Sequence, residues 1–451
     1  MTSGRENSVL MAVEEFLRAN PSLEQLDLMG TDLAGNFFGK RYPIERLREF
    51  ATTGLTLPRA MYVLGTTGRS MYEHTHMGKD DGDPDFKVAI APKTLAVANW
   101  GDRPRAQAIV TGAAEDIPVD PRRVLARVLD RWRAIGLNPV VAFELEFFLF
   151  EFDRAEDGGV IPARNPKTGQ TDIPMMLNME RLGDFETVLD DIARECESQG
   201  IKTTTLGAEY GSGQFEINFH HYDDAMLAAD HAQMFKRLVK AVARNHGLRA
   251  SFMAKPDIEE PGSGQHLHIS VLDKAGKNIF DGGDKPTPAL MHAMGGLVRN
   301  APEAMIYWAP NVNSYRRFSV ENCVPTGATW SFENRFVGFR IPLATNGAWR
   351  IENRIPGADA LCYLTLASTL AAMLHGIENQ TDPGPETKGA PDLKPDSMPL
   401  EVRDAIAKAR SGAAIRNYLG DDFVDLYCKF RKGDLAYFEE AITPREIDWF
   451  L

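Results

Sequence analysis

Apolar residues in this chain recur with two periods, and the first 110 residues show both. Between Val9 and Leu17 they return every three or four positions, which predicts an amphipathic helix. Short strand-like runs follow at Gln25–Leu28, Phe37–Lys40, Thr94–Ala98 and Ala106–Val110, each bounded by turn residues, and predict a small mixed sheet. Between them Gly65–Asp85 is rich in Gly, His, Met and Asp, and loops of that length are where function concentrates. A boundary is expected over Thr111–Pro118. Val119-Asp120-Pro121 then opens a helix to Ile135, with Asp120 as its cap and Pro121 at the first helical position, where a missing N–H costs nothing.

Beyond that helix the pattern changes scale. Pro139–Phe150 reads as a strand, Leu182–Gln199 and Asp223–Asn245 as helices, and Ala250–Met253, Gln265–Leu272, Phe336–Pro342 and Arg350–Arg354 as further strands. Ala360–Ile377 is apolar enough for a buried helix, and a Pro/Gly-rich loop over Thr381–Pro399 separates it from a helical C-terminus. Sheets and helices alternate without regular βαβ order, so the expected class is α+β rather than a Rossmann fold. The expected division is 1–113 and 114–451.

Length, composition and charge narrow the function classes. A chain of 451 residues has room for two or three domains, and 43% hydrophobic with 25% charged residues is the balance of a soluble globular protein. The net charge of −13, without a basic block, argues against a nucleic-acid partner. Any phosphate binding must therefore rest on local arginines and metal ions. No run approaches the ~20 apolar residues of a membrane span, and the charged N-terminus is unlike a signal peptide. Cys196, Cys323, Cys362 and Cys428 lack CxxC spacing and read as reduced thiols, so a cytoplasmic protein is expected.

Four segments carry candidate chemistry. In Phe143-Glu144-Leu145-Glu146-Phe147-Phe148-Leu149-Phe150, Glu144 and Glu146 share one strand face with Cα atoms roughly 6.6 Å apart. Two carboxylates in an apolar strand repel each other and lose hydration, so cations must offset them. Glu209 and Glu216 flank a glycine-rich turn, Tyr210-Gly211-Ser212-Gly213, where backbone can approach a ligand; surface acids on an ordinary hairpin are the alternative. His266 and His268 share a strand face in Gly262-Ser263-Gly264-Gln265-His266-Leu267-His268-Ile269-Ser270, where one could ligate metal while the other meets phosphate; structural histidines are the alternative. Arginines follow at 316, 317, 335, 340, 350 and 354, and Arg350, Glu352 and Arg354 share a face. That last row fits either a salt-bridge ladder or bidentate grips on carboxylate and phosphate. Five glutamates and a histidine suffice for two metals, and an oxygen-rich set favours Mg²⁺ or Mn²⁺ over zinc. Metals beside arginines are the usual equipment of phosphoryl transfer.

ELEFFLF, EYGSGQFE, GSGQHLHIS, NSYRR, NRFVGFRIP and RIENRIP, in that order, closely resemble the glutamine synthetase family, and the tail resembles its amine-glutamylating branch. The resemblance implies a small N-terminal β-grasp domain and a large catalytic domain of curved antiparallel sheet with flanking helices. It further implies a homo-oligomer, a dodecamer of two hexameric rings with sites between neighbouring subunits. Its cofactors would be ATP and two to three Mg²⁺ or Mn²⁺ ions per site. By motif, Glu146, Glu209 and Glu216 would hold one metal, and Glu144, His266 and Glu352 the second. His268 and Ser270 would lie near ATP phosphate. Arg317, Arg354 and the backbone at Gly262 would grip glutamate, and Arg335, Arg340 and Arg350 would serve ATP and the transferring phosphoryl group.

The same resemblance locates departures. Ammonia-using members carry a flap glutamate after NSYxR; Cys323 stands in its place here, with Glu321 close but out of register. Leu64-Gly65-Thr66 occupies the region of an ammonium-binding aspartate, and Pro261 replaces an asparagine that often meets glutamate. Losing carboxylates weakens an ammonium pocket, so the expected reaction joins glutamate to a small organic amine. Met61, Tyr62, Phe318 and Val324 are candidate walls for the amine, and Glu321 is the candidate carboxylate to take its proton. Glutamine synthesis from ammonia and a non-catalytic relative are the alternatives.

Overall fold

The computed structural model describes residues 2–450 except 114–118, 157, 320–323, 345–346 and 392–396, with side chains from residue 8 onward. The chain begins with helix α1 (Thr2–Ala19) and the hairpin β1 (Gln25–Thr31) and β2 (Phe37–Pro43). Then come α2 (Arg46–Thr53), β3 (Leu55–Pro58), the one-turn helix α3 (Tyr72–Thr75), β4 (Asp85–Ile90), β5 (Ala96–Ala98) and β6 (Arg105–Gly112). These strands form one sheet in the order β2-β1-β6-β4-β3, with β5 on β6. The β1–β6 pair is parallel, and Leu26, Leu28, Ala106, Ala108 and Val110 meet apolar side chains of α1 and α2 in a core of their own.

Helix α4 (Pro121–Ala134) starts where its capping residue predicts. One Asp120 oxygen accepts from Arg122 N at 2.9 Å, while the other accepts from Thr111 Oγ1 at 2.6 Å and Gly112 N at 2.7 Å. A single buried carboxylate thus caps the helix and ties it to the end of β6.

The long strand β7 (Asn138–Arg154) is the spine of the second sheet, followed by β8 (Val160–Pro162), α5 (Met179–Asp184), α6 (Glu186–Ser198), β9 (Thr203–Ala208), β10 (Gln214–Phe219) and α7 (Ala225–Asn245). Then come β11 (Leu248–Ser251), β12 (Gln265–Leu272), α8 (Pro288–Trp308), α9 (Val312–Tyr315), β13 (Trp330–Phe332), β14 (Phe339–Ile341), β15 (Ile351–Asn353) and α10 (Cys362–Glu378). Four helices close the chain: α11 (Val402–Ser411), α12 (Ala414–Leu419), α13 (Asp421–Glu439) and α14 (Pro444–Phe450). The sheet runs β13-β14-β15-β12-β7-β10-β9, with β8 and β11 also on β7. Among the described residues no helix is long and apolar enough to cross a membrane.

Several elements differ from expectation. The expected strand Thr94–Ala98 begins on the last residue of a 3₁₀ turn (Pro92–Thr94) and is strand only over Ala96–Ala98, and the last two expected strands shrink to the three-residue β14 and β15. Helix α8 has no counterpart in the sequence reading. Its Gly295-Gly296 pair and internal Pro302 are helix-breaking signals in a sequence, yet the glycines serve packing. A Cβ on Gly296 would fall 2.1 Å from Ala372 O and 2.7 Å from Gly376 Cα, so α8 and α10 cross with backbones in contact. Tyr62 is also not where expected. It is fully buried in the core, its ring 4.9 Å from Phe38 and 5.4 Å from Phe86, and is no wall for a substrate.

Candidate active site

Strand pairing builds the site. On one side of β7, antiparallel β12 sets His266 opposite Glu144; on the other, antiparallel β10 sets Glu216 opposite Glu146 and Asn218 opposite Glu144. Further out, β15 places Glu352 opposite His268, and β14 places Arg340 opposite Glu352. Directly opposed residues share a face. One face therefore carries Arg340, Glu352, His268, His266, Glu144, Glu146, Glu216 and Asn218 side by side, and Ser270 extends the histidine row.

The side chains converge. His266 Nδ1 lies 2.6 Å from Glu144 Oε1 and 3.9 Å from Glu352 Oε1, and its Nε2 lies 3.9 Å from Glu146 Oε1. Glu144, His266 and Glu352 form one cluster whose ligand atoms all fall within 4.8 Å of one another, and Glu146, Glu216 and His266 form a second. His266 belongs to both. Glu352 is 1% exposed and takes Arg340 Nη1 at 2.7 Å on one oxygen and Arg354 Nη1 on the other. Arg317 is buried with Nη1 on Ile355 O at 2.8 Å and Nη2 on Arg354 O at 3.3 Å. His268 stands between Glu144, at 3.4 Å, and Arg350 Nε, at 3.3 Å.

Electrostatics divide the acids into two kinds. Burial works to raise the Glu352 carboxyl, but Arg354, His268 and His266 outweigh it and hold it at about 2. Burial opposes His266 and His268 at Glu144 too, and the histidines hold that carboxyl well below its usual range. At Glu209 and Glu216 burial and repulsion win instead, although Arg354 acts on Glu209 in the other direction. Burial, then the charges of Glu146 and Glu144, push Glu209 up to about 8; burial, then Glu144, Glu146 and Glu209, push Glu216 up to about 11. Acids that neighbouring acids keep protonated mark a site short of positive charge, and divalent cations answer that shortage. The donor set, carboxylates with one imidazole, fits Mg²⁺ or Mn²⁺.

A pH dependence follows. The folded, metal-free protein keeps protons on Glu209 and Glu216 that an unfolded chain, with glutamate near 4.5, has already lost. The folded state then binds more protons, so these two groups make metal-free stability fall as pH rises from about 4.5 through about 8. A bound dication displaces those protons and removes the loss. The rise in melting temperature on adding Mn²⁺ should therefore be larger at about pH 8.5 than at about pH 6.5, as read by thermal denaturation. An equal or smaller rise at the higher pH would contradict the protonated-pair account.

Not every candidate joins the clusters. Glu209 lies just before the turn that leads into β10 and acts on Glu144 and Glu146 by charge, outside both ligand clusters. Arg335 is exposed ahead of β14, and Arg350 is half-buried beside His268. Gly262 offers its carbonyl to Gln214 Nε2 at 3.1 Å, and a Cβ there would fall 2.7 Å from Arg317 Cγ. Glu321 and Cys323 lie outside the described residues. Two amides, buried Gln214 and half-buried Asn218, are not among the residues expected from the sequence. Gln214 Nε2 also donates to Glu146 Oε2 at 3.2 Å, and Asn218 Nδ2 bridges Glu144 Oε2, at 2.6 Å, and Glu216 Oε1, at 3.2 Å. Period-2 reading from Glu216 would have put Asn218 on the acid face.

Two carboxylate clusters sharing a histidine, with arginines beside them on one face of a largely antiparallel sheet, have the donor types that suit an enzyme using divalent cations. The chain belongs to the glutamine synthetase family: residues 118–450 match the family described as glutamine synthetase, catalytic domain. It is 35% identical to gamma-glutamylputrescine synthetase PuuA of Escherichia coli (strain K12) over 99% of this chain and 96% of that one. It is 28% identical to glutamate–isopropylamine ligase of a Pseudomonas species, over 98% of each chain. Among solved structures, the ADP complex of GmaS superposes with a TM-score of 0.83 at 27% identity, covering 97% of this chain and 99% of that one.

Proposed function

We propose that this protein is an ATP-dependent carbon–nitrogen ligase that joins glutamate to a small organic amine through γ-glutamyl phosphate. The observation that carries the reading is the shared-histidine pair of clusters beside buried Arg317 and Arg354 and half-buried Arg340. Similarity along nearly the whole chain to ligases named for putrescine and isopropylamine supports an amine as the nitrogen donor. On this reading 1–113 is a β-grasp domain and 114–451 the catalytic domain, and the chain assembles as a dodecamer of two hexameric rings, which light scattering measures.

Glu146, Glu209 and Glu216 would hold one divalent ion, and Glu144, His266 and Glu352 the other. Bound there, the ions would screen the charge of the transferring phosphoryl group. The chain's own residues do the rest. Arg317, Arg354 and the Gly262 backbone orient glutamate so that its γ-carboxylate oxygen faces the γ-phosphorus of ATP. That oxygen forms the new P–O bond as the bond to ADP breaks, with Arg335, Arg340 and Arg350 matching the charge on the phosphate oxygens. His268 and Ser270 contact phosphate. The amine nitrogen then attacks the γ-acyl carbon, inorganic phosphate leaves, and Glu321 takes the amine proton. An alkylammonium near pKa 10.4 is neutral in only about one molecule in 10³ at pH 7, so this proton acceptor has large leverage.

The competing reading, glutamine synthesis from ammonia, differs in the nitrogen donor. Each methylene buried on the amine adds ~0.8 kcal/mol, roughly fourfold. Two or more should give an organic amine a kcat/KM at least about tenfold above that of ammonium. Steady-state phosphate release with glutamate and each of ammonium, methylamine, isopropylamine, ethanolamine, phenylethylamine, putrescine and spermidine measures it. Ammonium as the best substrate would make the protein a glutamine synthetase.

A further inference from the structure

One buried ion pair outside these candidates reaches the site through backbone alone. Arg181 in α5 and Asp172 are 5% and 6% exposed, and Arg181 Nε and Nη2 meet the Asp172 carboxylate with a shortest contact of 2.6 Å. The other hydrogen bonds of the Arg181 guanidinium go to backbone carbonyls, Nη1 to Met175 O at 3.0 Å and to Glu209 O, and Nη2 to Gly211 O at 2.8 Å, while its carbon lies 5.8 Å from the centre of the Phe215 ring. Asp172 Oδ2 in turn accepts from Gly213 N at 2.7 Å. The turn between β9 and β10 is thus gripped at Glu209, Gly211 and Gly213.

The grip continues inward. Gly211 N donates to Gln214 Oε1 at 2.9 Å, and Gln214 Nε2 donates to Glu146 Oε2 and Gly262 O. Burial of apolar surface does not explain the arrangement. The segment joining the two charges exposes Ile173 at 73% and Leu177 at 66%, so it has little apolar anchorage of its own. Two charges have been taken out of water to hold a five-residue turn whose first member is Glu209, and such burial costs stability unless every donor is placed.

We propose that Arg181 and Asp172 are positioning residues for the divalent-metal site, fixing Glu209 directly and Glu146 through Gln214. This rests on the reading above of Glu209 as a metal ligand. Groups that orient ligands in this way typically change metal affinity 10- to 100-fold when altered. Arg181→Lys keeps a charge beside Asp172, but a single ammonium cannot replace the planar fork that reaches Asp172, Glu209 O and Gly211 O together. In the full-length protein, Mn²⁺ titration followed by electron paramagnetic resonance should show one site weakened about tenfold in Arg181→Lys. The Mn²⁺ concentration giving half-maximal phosphate release should rise by a similar factor. Asp172→Glu keeps the pair, moves its carboxylate by one methylene, and carries the same expectation should Arg181→Lys not fold. Mn²⁺ affinity within twofold of wild type in the folded variants, while Glu209→Gln weakens it, would make the pair purely structural and overturn the proposal. Unchanged affinity in Glu209→Gln as well would instead remove Glu209 from the ligand set.

Discussion

Replacing Glu146 by Gln should lower ATP-dependent phosphate release by about 10³-fold while the metal-free protein melts no lower than the wild type. The two halves of that expectation come from one fact, the crowding of acids on the β7 face. Glu146 Oε2 already accepts from Gly264 N at 2.9 Å and from Gln214 Nε2 at 3.2 Å, so an amide of the same shape retains a carbonyl for that pocket. What it loses is charge. A dication then has one anionic ligand fewer, and several kcal/mol of charge stabilisation in the phosphoryl-transfer step amounts to about 10³ in rate. In the metal-free protein that same charge is a burden. It helps push Glu209 to about 8 and Glu216 to about 11, so its removal relieves two partly buried carboxyls. Arg317 and Arg354 each lose a favourable neighbour, which offsets part of the gain. Phosphate release at ordinary Mg²⁺ and thermal denaturation in chelator test the two halves separately. Activity within tenfold of wild type would sink the ligand assignment.

Much of this site is legible in the residues because strand geometry is strict. Glu144 and Glu146 in an apolar run, and His266 and His268 two apart, must each share a face, and the acid-between-arginines row at 350–354 obeys the same rule. Register is where periodicity stops. That His266 pairs with Glu144, and so stands between two clusters, depends on how β12 aligns with β7. Glu209 is legible by its place beside the glycine-rich turn and not by periodicity, since no period applies at the start of a turn. Arg181 and Asp172 carry no motif at all, since they act through carbonyls and N–H groups that every residue possesses. Helix α8 was hidden by glycines that a sequence reads as breakers and the fold uses as contact points. Tyr62 is a candidate wall by its nearness to Leu64-Gly65-Thr66, whereas its ring fills the core between Phe38 and Phe86.

Gly264 should prove a position where one methyl group removes function and spares the fold. A Cβ built there would lie 2.7 Å from His266 Nε2, 2.9 Å from Arg317 Nη2 and 3.0 Å from Glu146 Oε1. All three atoms are ends of side chains, so the structure can accommodate alanine by small rotations, and Gly264 has no left-handed backbone requirement. Those three ends are also the working atoms of the proposed site: a histidine shared by both clusters, a glutamate-binding arginine and a metal-binding carboxylate. Displacing reacting groups by an ångström costs about 10² in rate, and that is the expected fall in kcat/KM for Gly264→Ala, with little change in melting temperature. Gly262→Ala supplies the contrast. Its Cβ would meet the backbone carbonyl of Ala254 at 2.5 Å, an obstacle that cannot rotate away, so this variant should lose stability as well as activity. Phosphate release and thermal melting on the two variants separate the cases. Wild-type kcat/KM in a folded Gly264→Ala protein would show that the space between His266, Arg317 and Glu146 is not where the substrates react.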